Sequence, residues 1–122
     1  AKSAFSVQSE SIIDEPVLNE LKMLLGEDFT LLIDAFFDDA NSIMASLESM
    51  LNETVEANYE SVSLLAHSLK SISQSVGAMT MSSMAAQLEQ EGRQRSVPDL
   101  DVKIREILVM YQNVKNKLQG ML

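Results

Sequence analysis

Apolar residues recur at steps of three and four along nearly the whole chain, in several successive stretches separated by short breaks. A helix turning about 100° per residue gathers such positions into one stripe, whereas a strand would need strict alternation. In the first stretch Asp14 and Glu15 precede Pro16, a residue favoured in a first helical turn, and Val17, Leu18, Leu21, Leu24 and Leu25 follow. Gly26 then stops the helix, at the C′ position where a left-handed conformation carries no Cβ penalty. A second helix, from about Glu27 to Leu51, carries Phe29, Ile33, Phe36, Ala40, Ile43, Leu47 and Met50. Residues 52–58 lose the stripe and read as a polar break. A third helix bears Val62, Leu65, Leu69, Ile72 and Val76 and is interrupted at Gly77; a fourth runs from about Ala78 to Arg93 on Met81, Met84 and Leu88. After a break around Arg95 to Pro98, the last carries Leu100, Ile104, Ile107, Tyr111, Val114 and Leu118.

Four long amphipathic helices must bury their stripes against one another, and at ~1.5 Å per residue each spans roughly 25–35 Å. The expected fold is all-α: an up-down-up-down four-helix bundle, with the short first helix capping one end. Residues 1–12 are polar and serine-rich without a sustained period, so they read as a tail or linker, with the domain over 13–122. The methionines, eight in all, read as core filler.

Composition removes whole classes of function. There is no cysteine, which excludes disulfides, thiolate metal sites and cysteine nucleophiles. No apolar run approaches the ~20 residues of a membrane span. Nine basic against eighteen acidic side chains give a net charge of -9, a field that repels phosphate backbones and anionic lipid. Neither nucleic acid nor membrane is therefore an expected partner; a protein surface offering a cation is.

The only histidine, His67, falls opposite the apolar stripe of the third helix and should be exposed. A lone exposed histidine is ordinarily a solvated side chain. Here Ser63 and Ser71 flank it four residues before and after, with Leu64 and Gln74 on the same face, so small side chains leave the imidazole clear. Lys70, the only basic residue between Lys22 and Arg93, stands one turn away, where an ammonium could contact phosphoryl oxygens on a modified histidine. Gly77 permits a sharp turn that lays the fourth helix beside the third. Glu89 then either approaches His67, accepting from Nδ1–H and leaving Nε2 free as nucleophile, or is a solvated glutamate near a helix end. The sequence leaves both open.

The segment Ala66-His67-Ser68-Leu69-Lys70-Ser71-Ile72-Ser73-Gln74-Ser75-Val76-Gly77-Ala78, with Leu88-Glu89 and Gly92-Arg93 beyond it, resembles the histidine-containing phosphotransfer (HPt) domains of two-component phosphorelays. The Leu24-Leu25-Gly26 turn and the phenylalanine-bearing second helix extend the resemblance over about residues 13 to 120. It implies a helical bundle, His67 as phosphoacceptor and Lys70 as the neighbouring cation. It also implies docking of receiver domains, from response regulators or a hybrid sensor kinase, on the face of Ser63, Leu64, Ser71, Gln74 and Gly77. Leu31 or Phe37 of the second helix would add an apolar patch, unless the bundle buries Phe37. Ser71 stands where the family usually has glycine, Ile72 where it has a small polar residue, and Glu89 where glutamine is frequent.

The resemblance further implies a cytoplasmic, monomeric carrier with no cofactor of its own, Mg²⁺ being supplied by the receiver. Whether the chain is a free-standing shuttle or the end of a membrane sensor kinase stays open. The alternative is the phosphoacceptor domain of a chemotaxis-type kinase, phosphorylated by a separate ATP-binding domain. An autophosphorylating dimerisation domain fits less well, because Ser68 rather than an acid follows the histidine and no glycine-rich nucleotide site is seen. A metal or haem bundle lacks ligands, with one histidine and no Glu-x-x-His spacing.

Overall fold

A computed structural model describes residues 3–6, 11–51 and 58–122. These residues form five helices in chain order: α1 (Glu15–Leu25), α2 (Asp28–Leu51), α3 (Tyr59–Ser75), α4 (Met79–Arg93) and α5 (Leu100–Gly120). Helix α2 packs on α3 and α5, and α4 packs on α3 and α5, so the four long helices close a ring around one core. The start of α2, the end of α3, the start of α4 and the end of α5 meet at one end, as an up-down-up-down order requires. Helix α1 lies across that end: Asp14 N–H donates to Gly77 O at the α3–α4 turn (2.8 Å), and Lys22 Nζ donates to Met121 O (2.7 Å). The expected all-α bundle with a capping first helix is the observed fold.

Local chemistry sets the helix limits. The Asp14 carboxylate caps α1 by accepting from Val17 N–H, with Pro16 in the first turn, and Gly26 ends the helix at φ 55°. Asn58 caps α3 by accepting from Ser61 N–H. At the other end of α3, Ala78 N–H reaches back to Ser73 O (2.9 Å) and Gly77 N–H to Gln74 O (3.2 Å), with Gly77 at φ 68°. That is a Schellman closure with glycine at its left-handed position. A Cβ on Gly77 would also meet the Asp14 Cβ at 3.4 Å, so the glycine lets α1 close on the turn.

The core follows the expected stripes with three shifts, apart from α1, where only Leu18 of the expected stripe is buried and Val17, Leu24 and Leu25 are exposed. On α3 the buried positions are Val62, Ala66, Leu69 and Ser73, while Leu65 and Ile72 are only half-buried, because α4 approaches from one side and turns the inner face toward Ala66 and Ser73. The methionines do not all fill the core: Met44, Met81 and Met84 are buried, but Met23 and Met79 are exposed at the α1 end. The third shift concerns residues 1–12, expected as a tail. Phe5 is buried and sits 5.9 Å from the Lys103 ammonium, Ser3 Oγ and Ala4 N–H donate to the Glu106 carboxylate, and Ser6 N–H donates to Gln87 Oε1. One isolated aromatic has no period to betray it in the sequence. Residues 52–57 of the expected polar break lie outside the described residues.

Candidate functional site

Helix α3 carries Ala66 and Leu69 into the core, and this rotation leaves His67 between them pointing outward with 58% of its side chain exposed. Helix α4 runs antiparallel beside it. Burial of Leu88 and Gly92 on its inner face brings Glu89 under the imidazole. The approach is close: a Cβ on Gly92 would lie 3.1 Å from Ser63 N and 3.2 Å from Tyr59 O, so only glycine lets α4 sit at this distance from α3. Ser63 Oγ donates to Glu89 O across the same seam (3.4 Å).

Of the two sequence readings of Glu89, the structure selects contact with His67. Its side chain is buried, and three donors converge on it: His67 Nδ1 at 2.8 Å and Arg93 Nη2 at 2.7 Å on Oε2, and Lys70 Nζ at 2.7 Å on Oε1. The hydrogen bond from Lys70 holds the Glu89 carboxyl below the ordinary carboxylate range; burial opposes this, and His67 and Arg93 add to it. An ionised carboxylate only accepts, so the Nδ1 facing it must carry the hydrogen. In the neutral imidazole the lone pair is then on Nε2, the nitrogen away from Glu89.

The flanking residues fall into place unevenly. Ser71, Gln74 and Leu64 are exposed beside His67, Leu64 at 62%, and Ser63 is half-buried. Gly77 requires correction: it is buried beneath Asp14 with its amide and carbonyl both bonded, and it offers no surface to a partner. Leu31 is 65% exposed, whereas Phe37 is half-buried and leans its ring on Phe36, 5.9 Å between centroids. Lys70 is not a free cation beside the imidazole but is bonded to Glu89. Arg93, quoted above only as part of the motif and given no role, bonds to Glu89, and a Glu89–Arg93 pair at i, i+4 is a legible helix contact.

Two grooves flank the outer face of α3, and His67 lines the first of them. One, of about 490 Å³, lies between α2 and α3, with Asp39, Ser42, Ser68, Ser71 and Ile72 beside His67. The other, about 210 Å³, lies between α3 and α4 and is lined by Tyr59, Glu60, Ser63, Leu64, Arg93 and Arg95 among others. Among the described residues no group of three or more His, Asp or Glu side chains converges as a metal ligand set, and no helix is long and apolar enough to cross a membrane. The arrangement thus presents a solvent-facing imidazole nitrogen, an ionised carboxylate fixing the opposite nitrogen, and two cations in reach of the same carboxylate. Chemically that is an oriented nucleophile.

Comparison with known proteins bears on the family and the fold. The family model described as Hpt domain matches residues 31–117. No curated protein sequence matches the chain. Among solved structures, histidine-containing phosphotransfer protein B from Pseudomonas aeruginosa PAO1 is similar, with a TM-score of 0.81 at 21% identity over 93% of this chain and 96% of that one. The histidine-containing phosphotransfer protein ZmHP2 from maize gives a TM-score of 0.75 at 24% identity, covering 91% of this chain and 89% of that one. At these identities the two structures speak to the fold.

Proposed function

The chain belongs to the Hpt domain family, whose members carry phosphoryl groups on histidine in two-component signalling, and on that premise we propose that His67 is the phosphoacceptor of a phosphorelay. The observation that carries this reading is the Glu89–His67 hydrogen bond, which leaves Nε2 as the exposed nucleophile.

In the proposed reaction the Nε2 lone pair attacks the phosphorus of an aspartyl phosphate on a receiver domain. The N–P bond forms as the bond to the carboxylate oxygen breaks, and the aspartate leaves as a carboxylate. The Nδ1 proton stays in its bond to Glu89, so no proton need move, and the positive charge that grows on the ring faces a buried anion. Donation to a second receiver is the same path reversed. A loose, in-line transfer needs positioning and charge neutralisation more than acid–base work. Lys70, one turn from His67, supplies part of that neutralisation by swinging between Glu89 and the phosphoryl oxygens; Mg²⁺ held by the receiver would supply the rest.

The test is transfer from a receiver domain charged with acetyl phosphate. Wild-type chain becomes labelled and His67→Gln does not; label persisting on the Gln variant overturns the assignment. Incubation with ATP alone leaves the wild type unlabelled, and robust self-labelling would favour a kinase.

A further inference from the structure

A phosphoryl group on His67 is an anion with three strong acceptor oxygens, and the two flanks of the imidazole offer it different things. Successive helical residues advance by about 100°, so Lys70 stands roughly 60° round α3 from His67 in one direction and Ser71 roughly 40° in the other. Lys70 lies on the α4 side, where its ammonium reaches Glu89 Oε1 at 2.7 Å and His67 Nδ1 lies against Oε2 at 2.8 Å. Ser71 lies on the α2 side. It is exposed and lines the α2–α3 groove together with the imidazole, Ser42, Ser68 and Asp39.

These neighbours decide what the groove gives a phosphoryl group. No Lys or Arg stands among its lining residues, and the carboxylate of Asp39 repels an anion. The donors it holds are hydroxyls. Of the three, Ser71 is at i+4 from His67, the spacing at which side chains on one helix meet, with Cβ atoms about 5–6 Å apart. Ser68, adjacent in sequence, points away from that face, and Ser42 is on the opposite wall. The Ser71 hydroxyl is also not turned back on its own helix. Ser75 donates to Ile72 O (2.6 Å), a common use of a helical serine, whereas no carbonyl among the described residues of α3 takes the Ser71 proton. A glycine at position 71 would offer no donor at all.

We propose that Ser71 is a ligand of the carried phosphoryl group: its hydroxyl donates to an oxygen of the phosphoryl group on Nε2 of His67, on the flank opposite Lys70, and weights phosphoryl exchange toward the phosphorylated chain. The inference rests on the phosphotransfer reading above, and it assigns Ser71 to the carried group rather than to the surface that a receiver covers. The two roles are separable. A docking contact alters forward and reverse rates alike and leaves the equilibrium between separated molecules where it was, while a bond made only in the phosphorylated chain moves that equilibrium.

The experiment uses the full chain with phosphoramidate and ammonium at a fixed ratio, which needs no receiver. The Nε2 lone pair takes the phosphorus as the P–N bond of phosphoramidate breaks and ammonia leaves with its electron pair. The ratio of labelled to unlabelled chain is read once forward and reverse approaches agree. Ser71→Ala lowers this ratio about threefold to tenfold, the size of one net hydrogen bond, and Ser71→Thr, which keeps a hydroxyl, restores it. The phosphorus resonance of phospho-His67 moves in the alanine variant and returns in the threonine variant. Alanine is the better helix former at this exposed position, so its Tm is no lower than wild type and the loss is not one of folding. An unchanged ratio in Ser71→Ala overturns the proposal, as does a Ser71→Thr ratio as low as that of alanine. If His67 is labelled neither by phosphoramidate nor by any charged receiver of the source organism, the phosphoacceptor reading fails and this inference with it; if His67 is labelled and Ser71→Ala matches wild type, the inference alone fails.

Discussion

Glu89 gathers three donors on two oxygens, and its replacement separates charge from shape. A glutamine can accept from His67 and Arg93 with its amide oxygen, but its NH₂ then faces the Lys70 ammonium. Glu89→Gln should cost about 1–3 kcal/mol at neutral pH for a charged buried acceptor, nearer the low end because the donors reach solvent. The carboxyl titrates lower in the folded chain than unfolded. Its contribution is therefore complete above the unfolded value near pH ~4.3, and is lost as pH falls through the folded value. Thermal unfolding followed from pH 7 to pH 3 should show the wild type losing stability over that acidic window, with a shallower decline for the glutamine variant. Parallel curves would mean that the ion cluster does not hold the carboxyl as described. The exposure of His67 was legible from helical angle alone, because one stripe defines one outward face. The state of Lys70 was not: a cation three residues from an imidazole reads as free until the carboxylate from the next helix is in place.

At the level of the helices, the site depends on how near α4 comes to α3. Gly92→Ala would gain up to ~1 kcal/mol of helix propensity, but its Cβ meets the backbone of Ser63 and Tyr59, which cannot rotate away. Overpacking of this kind costs about 1–3 kcal/mol, so the net change is a loss, and the pair of helices must part by a few tenths of an ångström. Calorimetry should show a lower Tm, and the Nδ1 proton resonance of His67 should lose its protection from solvent; an unchanged resonance would deny Gly92 its spacing role. This is why the helices could be read from the sequence while the Glu89 contact could not. Caps, stripes and the Gly77 turn are local signals, each complete within a few residues. The register that sets Glu89 beneath His67 arises from a glycine fifteen residues beyond the turn, on a face whose neighbour no periodicity names. The same holds for Gly77, whose turn was legible but whose burial under Asp14 came from α1 folding back over it.

Over the whole molecule, the bundle is completed by a segment outside the helical pattern. Lys103 is 2% exposed, paired to Glu91 Oε1 at 2.5 Å, and the Phe5 ring lies over it. Phe5→Ala removes an aromatic from the margin of the core and opens this pair to water, so it should destabilise the chain by about 2–4 kcal/mol, toward the lower part of the range for core phenylalanines. It should also make Lys103 reactive to an amine-directed reagent that leaves it untouched in wild type. An unreactive Lys103 in the variant would show that the bundle buries it without help. The serine-rich composition around Phe5 hid this packing, whereas the acidic charge was plain from composition. At the site itself one imidazole is held with its Nδ1 against Glu89, and the place where phosphorus becomes attached tests that claim most directly. After labelling by a charged receiver, nitrogen-resolved NMR of the phosphorylated chain should find the phosphoryl group on Nε2 of His67; a phosphoryl group on Nδ1, or on any other residue, would contradict it.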